Sequence, residues 1–225
     1  MKEKIIKIVK NILIFLSYFM YHYIFIAILL MFNINYNEFG TFQKLLFIFV
    51  TDIIYIMTIV YLLRDEIIND LKDFKKKYKY YISKYFTIYA LGVILMGLSN
   101  KILYYITRQE LSGNETSIRS LLDQFPIYMV FSAVIFAPVV EEIIFRKTVR
   151  NVFNKKYLYI ILSGLIFGVL HISDYSNFNE ILLGIPYVIM GIDFAYIYYK
   201  SNNIFTTITL HSIHNLLLVL IQFIF

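Results

Sequence analysis

The chain has 225 residues, of which 60% are hydrophobic and 16% charged, and its mean hydropathy is +0.68. Soluble domains are roughly 45–50% apolar, so the composition excludes an ordinary soluble enzyme and fits one polytopic helical membrane domain. There is no cysteine, which removes disulfides, thiolate nucleophiles and Cys metal sites, and the net charge of +6 points to topology and anionic-lipid contact, not nucleic-acid binding, because the basic residues sit at the ends of apolar stretches.

A membrane helix needs about 20 mostly apolar residues. Seven such stretches are predicted, at 11–32, 44–63, 85–106, 126–146, 157–174, 181–198 and 204–225. The expected fold is therefore an all-α transmembrane bundle of about seven helices, with an eighth as the variant. The first stretch is too long and too aromatic for a signal peptide, and no small-residue cleavage site follows it, so it is expected to stay in place. Tyr and Phe must supply the interfacial belt, since Trp is absent.

Loop charges alternate along the chain. Lys2, Lys4, Lys7 and Lys10 precede the first span, and segment 64–84 carries Arg64, Lys72, Lys75, Lys76, Lys77, Lys79 and Lys84. Lys147, Arg150, Lys155 and Lys156 follow the fourth span, and Lys200 follows the sixth. The intervening segments 33–43, 107–125 and 175–180 are poor in net positive charge. The positive-inside rule then places the N-terminus in the cytoplasm and the C-terminus outside. The lysine-rich 72–84 stretch reads as a solvated loop. Residues 1–125 carry no assignable motif, whereas 126–225 carry three polar clusters.

The first cluster is Glu141, Glu142 and Arg146. An ionised group inside a bilayer costs about 2.5–3.5 kcal/mol or more, so these acids need partners. Glu142 and Arg146 are i,i+4 neighbours and can pair, while Glu141 is rotated by roughly 100° and points elsewhere. Taken alone, this is as well explained by a structural ion pair at a helix end. The second cluster is Phe167-Gly168-Val169-Leu170-His171. Gly164 and Gly168 allow a close helix approach and place His171 near a packed face, where a lone His is more often a packing residue than a catalyst. The third is His211-Ser212-Ile213-His214-Asn215, with His211 and Asn215 on one arc, for which helix–helix hydrogen bonding is the bland explanation. His22 has no polar company in the sequence and reads as structural.

Hairpin arithmetic makes these clusters one site. Glu141 lies about 14 residues before the turn at Asn154-Lys155 and His171 about 16 after it, which puts both about 20–25 Å up the hairpin at 1.5 Å per residue. His211 and Asn215 lie roughly 12–20 Å beyond the 199–203 turn. The four can meet in one buried layer if the three helices are neighbours. A carboxylate and an imidazole can deprotonate a shared water, and a second His and an Asn can donate to the developing oxyanion. The same Glu141, His171 and His211 side chains are also zinc-ligand types.

Glu141-Glu142-x-x-x-Arg146, Phe167-x-x-x-His171 and His211-x-x-x-Asn215, in that order and with Ala137-Pro138 ahead of the first, resemble the three motifs of the CPBP family. That family contains CAAX-processing proteases and bacterial bacteriocin-processing or self-immunity proteins (the Abi group). The resemblance covers roughly residues 126–220. It implies an intramembrane endopeptidase acting near the cytosolic membrane face, with Glu141 as general base, His171 as its partner on the water, and His211 and Asn215 as the oxyanion site. Glu142 and Arg146 would support the first motif. No cofactor is expected, with zinc as the alternative through Glu141, His171 and His211. Lys147 stands where many relatives have glycine, and His214 is extra to the pattern. The expected partners are membrane lipids and a peptide or protein substrate, with no nucleic acid. The composition, rich in Ile, Asn, Tyr and Lys, resembles AT-rich bacterial coding and favours a role in bacteriocin immunity or peptide maturation. Two other classes fit the composition: a non-enzymatic membrane scaffold acting through partners, and an ion- or proton-coupled transporter using Glu141, Asp52 and Asp193.

Overall fold

The computed structural model describes residues 2–224. The outermost residues of the two expected regions, 1 and 225, lie outside the described residues. We number the helices α1 (Lys2–Met31), α2 (Thr41–Leu62), α3 (Arg64–Thr107), α4 (Gly113–Gln124), α5 (Pro126–Val152), α6 (Lys156–Val169), α7 (Phe178–Ser201) and α8 (Ile204–Ile224). A single 3-10 turn covers Tyr36–Glu38, and no strand occurs among the described residues. Six helices are long and apolar enough to cross a membrane, namely all but α4 and the 14-residue α6. The expected helical bundle is thus the observed one, with α4 as the additional short helix.

Two expectations need correcting. Segment 64–84 is not a loop but the first half of α3, which bends at Lys77, where φ is −128° and ψ 17°. Lys and Glu are good helix formers, and Ile67, Phe74, Tyr81 and Tyr85 fall on one face that packs inward. An acid on this stretch also has partners elsewhere: Asp70 accepts from Lys147 Nζ at 2.7 Å, and its carbonyl accepts from Asn203 Nδ2 at 2.7 Å. The fifth predicted span is also shorter than expected, since α6 stops at Val169 and His171 lies in the turn beyond it.

The basic segments gather at one end of the bundle. Lys7 pairs with Glu66 at 3.1 Å, Lys147 with Asp70 at 2.7 Å, and Arg150 donates to the Tyr198 carbonyl at 3.1 Å. The other end is held differently. Glu180 accepts from the Gly113 backbone at 3.0 Å and from Ser173 Oγ at 2.7 Å, and Gln222 Nε2 donates to the Arg119 carbonyl at 3.4 Å.

α6 and α7 pack backbone to backbone. A Cβ on Gly168 would sit 2.8 Å from Val188 N, and one on Gly164 would sit 2.9 Å from Ile192 N. This is the close approach that the Gly164/Gly168 spacing predicts. Bulky apolar side chains such as Leu91, Ile94, Leu95 and Leu98 of α3 remain exposed on its outer face, as a lipid-facing helix requires.

Candidate active site

α5 presents the glutamate pair, and its backbone is unusual there. Two π-helical turns, Ser132–Phe136 and Glu142–Thr148, flank the α-helical residues Ala137–Glu141. Such turns recur at functional sites. The first has a cause in the sequence. The Ala137 amide donates to the Ser132 carbonyl, five residues back, and Pro138 has no N–H to offer. The Ala133 carbonyl is therefore left without a helical donor. Asn215 of α8 supplies one, with Nδ2 at 2.7 Å from the Ala133 oxygen. The proline ahead of the glutamates thus creates the acceptor that orients Asn215, and the second N–H of that amide remains for a ligand.

The two glutamates separate as their spacing predicts. Glu142 is fully buried beside Arg146, with Arg146 Nε 3.2 Å from Glu142 Oε2 and neither side chain exposed. Arg146 Nη1 also donates to Ser163 Oγ at 3.2 Å, and its guanidinium lies 4.6 Å from the Phe167 ring centroid. Glu141 turns the other way, lines a cavity of about 210 Å³ and keeps 14% of its side-chain surface open.

His211 joins the two acids. Its Nδ1 lies 3.1 Å from Glu142 Oε1 and its Nε2 lies 3.9 Å from Glu141 Oε2. A carboxylate only accepts, so Nδ1 carries a proton. Phe194 of α7 stacks on the imidazole with centroids 5.0 Å apart. His171 is fixed by the end of α6. Its Nδ1 lies 2.8 Å from the Phe167 carbonyl, one of the orphan carbonyls of a helix C-terminus. Nδ1 must then be the donor, which leaves Nε2 as the free ring nitrogen. Tyr187 stacks on the His171 ring, centroid to centroid 4.4 Å.

Glu141, His171, His211 and Asn215 all line the same cavity, together with Phe167, Tyr187, Phe194 and His214. His214 sits on its wall, with Nδ1 3.3 Å from Tyr89 Oη. Sequence reasoning did not reach Tyr187 and Phe194. Their seven-residue spacing puts them on one face of α7, but in a chain with 21 Tyr and 21 Phe that signal cannot be told from core packing. Nor did it reach the tie between Glu142 and His211, which depends on how α5 and α8 cross.

The remaining candidates lie elsewhere. Asp52 accepts from Tyr21 Oη at 3.0 Å, and His22 Nε2 is 3.8 Å from the same carboxylate. His22 therefore has polar company, contrary to the sequence expectation, because α2 sets Thr51 and Asp52 beside it. Asp193 turns toward Gly92 of α3. Neither Asp52 nor Asp193 lines the cavity that holds Glu141. Lys147 is 3% exposed and is held by Asp70 and by Glu66 at 3.6 Å. No group of three His, Cys, Asp or Glu side chains among the described residues is arranged to hold a metal ion.

Residues 123–217 match the model of a family described as type II CAAX prenyl endopeptidase Rce1-like. Over residues 123–217 the chain is thus similar to Rce1-like proteins. This agrees with the resemblance to CPBP proteins carried by the three motifs, all of which fall inside the Rce1-like segment. The chain is 28% identical over 140 residues to YdiL of Bacillus subtilis (strain 168), named as a candidate membrane peptidase, covering 60% of this chain and 53% of that protein. An uncharacterized protein of Mycoplasma capricolum is 37% identical over 100 residues, covering 42% of this chain and 28% of that protein. The UPF0177 protein YxdF of Lactococcus lactis is 28% identical over 104 residues, covering 46% of this chain and 55% of that protein. The matched region thus spans about half or less of each of these relatives. No solved structure matches the chain at a significant level. The matched segment contains Glu141, Glu142, Arg146, His171, His211 and Asn215, whereas Tyr89 of α3 lies outside it.

Proposed function

We propose that the protein is an intramembrane endopeptidase that hydrolyses a peptide bond with a water activated by Glu141 and His171. The observation that carries this reading is the convergence of Glu141, His171, His211 and Asn215 on one small cavity. The Rce1-like match and the naming of the Bacillus subtilis relative support the same class of activity.

In this mechanism a water sits between the Glu141 carboxylate and the free Nε2 of His171. As its oxygen attacks the scissile carbonyl carbon, its proton passes to Glu141. General-base assistance of this kind contributes about 10²–10⁴-fold. The carbonyl oxygen becomes an oxyanion and receives the free N–H of Asn215, with the Nε2–H of His211 as second donor when that ring carries both protons. The carbon–nitrogen bond then breaks, and the proton held by Glu141 moves to the leaving amine. The products are a carboxylic acid and an amine, and the acid's proton, the second one of the water, passes to the amine to give carboxylate and ammonium. Glu142 and Arg146 touch no reacting atom in this scheme. They position His211 and hold α5 against α6.

A metal-free scheme is preferred because the donors among the described residues are not grouped as a metal cage. Zinc stays a testable alternative: cleavage that is lost on chelation and restored by zinc would overturn the scheme, whereas cleavage indifferent to chelator supports it. The substrate is read as a peptide or protein held in or at the membrane, and bacterial peptide maturation or bacteriocin immunity as its setting. The reading itself is tested by Glu141→Ala and His171→Ala. Both should abolish cleavage while the protein accumulates to its usual level, and full activity in both would refute it.

A further inference from the structure

The sequence expectation placed cleavage near the cytosolic face, but the cavity runs the other way. Beyond the four polar residues its wall is formed by Met96 of α3, Ile118 and Leu122 of α4, Met129 of α5, and Leu218 and Val219 of α8. Its far rim carries Glu115 and Gln222. Gln222 lies 11 residues beyond His211, which is about 16 Å along α8. All of these residues lie between the glutamate layer and the end of the bundle that lacks the basic cluster.

The opposite route is shut. Glu142, Arg146, Thr148, Thr206 and Thr207 show no exposed surface. Lys147 closes the layer behind them through its pairs with Asp70 and Glu66. None of the residues around the polar recess of the basic end, such as Lys7, Asp70, Arg150 or Tyr198, lines the cavity of Glu141. A water-accessible path from the basic end would have to break several fully buried contacts.

The charge pattern gives these two ends a sidedness. Lysine and arginine bias in short loops faces the cytoplasm. α4 roofs the opposite end. It is capped by Ser112, whose Oγ accepts from the Glu115 amide at 3.2 Å, pinned at Gly113 by Glu180, and tied to α8 through Gln222. Its Leu122 packs with Met129 and Val219.

We propose that the substrate reaches Glu141 and His171 from the non-cytoplasmic side, beneath α4, past Glu115 and Gln222. This rests on the protease reading for the chemistry, but the route itself does not. The substrate class is then a peptide or membrane-protein segment exposed at the outer face, with apolar side chains flanking the scissile bond to match the Met, Leu, Ile and Val wall.

The chain has no cysteine, so single-cysteine variants need no background removal. Gln222→Cys and Glu115→Cys mark the proposed mouth, and Asn154→Cys marks the basic end. A membrane-impermeant maleimide should label the two mouth variants in intact cells and Asn154→Cys only in inverted vesicles. Labelling at Gln222→Cys or Glu115→Cys should then abolish cleavage relative to the same unlabelled variant, and labelling at Asn154→Cys should leave it intact. The reverse sidedness, or cleavage that survives labelling at both mouth positions but is lost on labelling at Asn154→Cys, overturns the route. The labelling pattern needs no enzymatic turnover. If neither wild type nor variants cleave, the protease reading fails while the labelling still decides which side of the membrane the cavity's rim faces.

Discussion

Adjacent glutamates in this chain meet different fates, and the difference predicts different losses. Glu142 sits with Arg146 in a fully buried pair and also accepts from His211. Removing one partner of a buried pair leaves the other charge uncompensated, at a cost of about 3–5 kcal/mol. Glu142→Ala should therefore lower the thermal unfolding midpoint of detergent-solubilised protein markedly. Glu141→Gln should leave that midpoint near wild type and remove cleavage. Asn215→Ala should reduce kcat by about 10²–10³-fold if its amide serves the oxyanion, a loss read from initial rates. The pairing of Glu142 with Arg146 was legible from their i,i+4 spacing, and so was the divergence of Glu141. The bond from His211 to Glu142 was not, because it joins residues 69 apart in the chain through a crossing of two helices that no local pattern specifies.

Single helices explain why these residues hold their places. Pro138 denies the Ala133 carbonyl a helical donor, and Asn215 takes that acceptor. Pro138→Ala restores an N–H that can bond the Ala133 or Val134 carbonyl. A helix-interior proline costs about 3 kcal/mol, so this variant should be as stable as wild type or more so, yet slower in cleavage, because Asn215 must now share its anchor. A merely structural role for Pro138 would leave the rate unchanged. α6 makes the opposite case. A side chain on Gly168 would collide with the Val188 backbone, and overpacking typically costs about 1–3 kcal/mol. Gly168→Val should destabilise the fold and, by shifting the end of α6, displace His171. The glycine spacing made this contact readable. The helical state of 64–84 was not readable, because lysines that look solvated in sequence share a helix with Ile67, Phe74 and Tyr81, whose seven-residue spacing emerges only once α3 is seen as continuous. The position of His171 just past α6 escaped for a similar reason: apolar residues continue beyond Val169, so hydropathy alone does not mark the helix end.

On the scale of the whole molecule, the bundle is polarised. One end gathers Lys7, Lys147 and Arg150 around Glu66 and Asp70, and the other is roofed by α4 above a cavity that descends to Glu141. Alternating loop charges announced the first end. The cavity's direction was hidden, because hairpin arithmetic gives depth along a helix and not which side of the polar layer is open. Four polar side chains from three segments of the chain meet in a layer walled by apolar side chains, and this is the arrangement from which water-mediated hydrolysis was inferred. The most direct test compares the membrane-associated peptides and proteins of cells carrying wild-type protein with those carrying Glu141→Gln at equal abundance. At least one peptide or protein should accumulate uncleaved only in the variant, with its fragments present only in the wild type. Identical pools in the two strains would contradict the assignment of Glu141 as the residue that activates water.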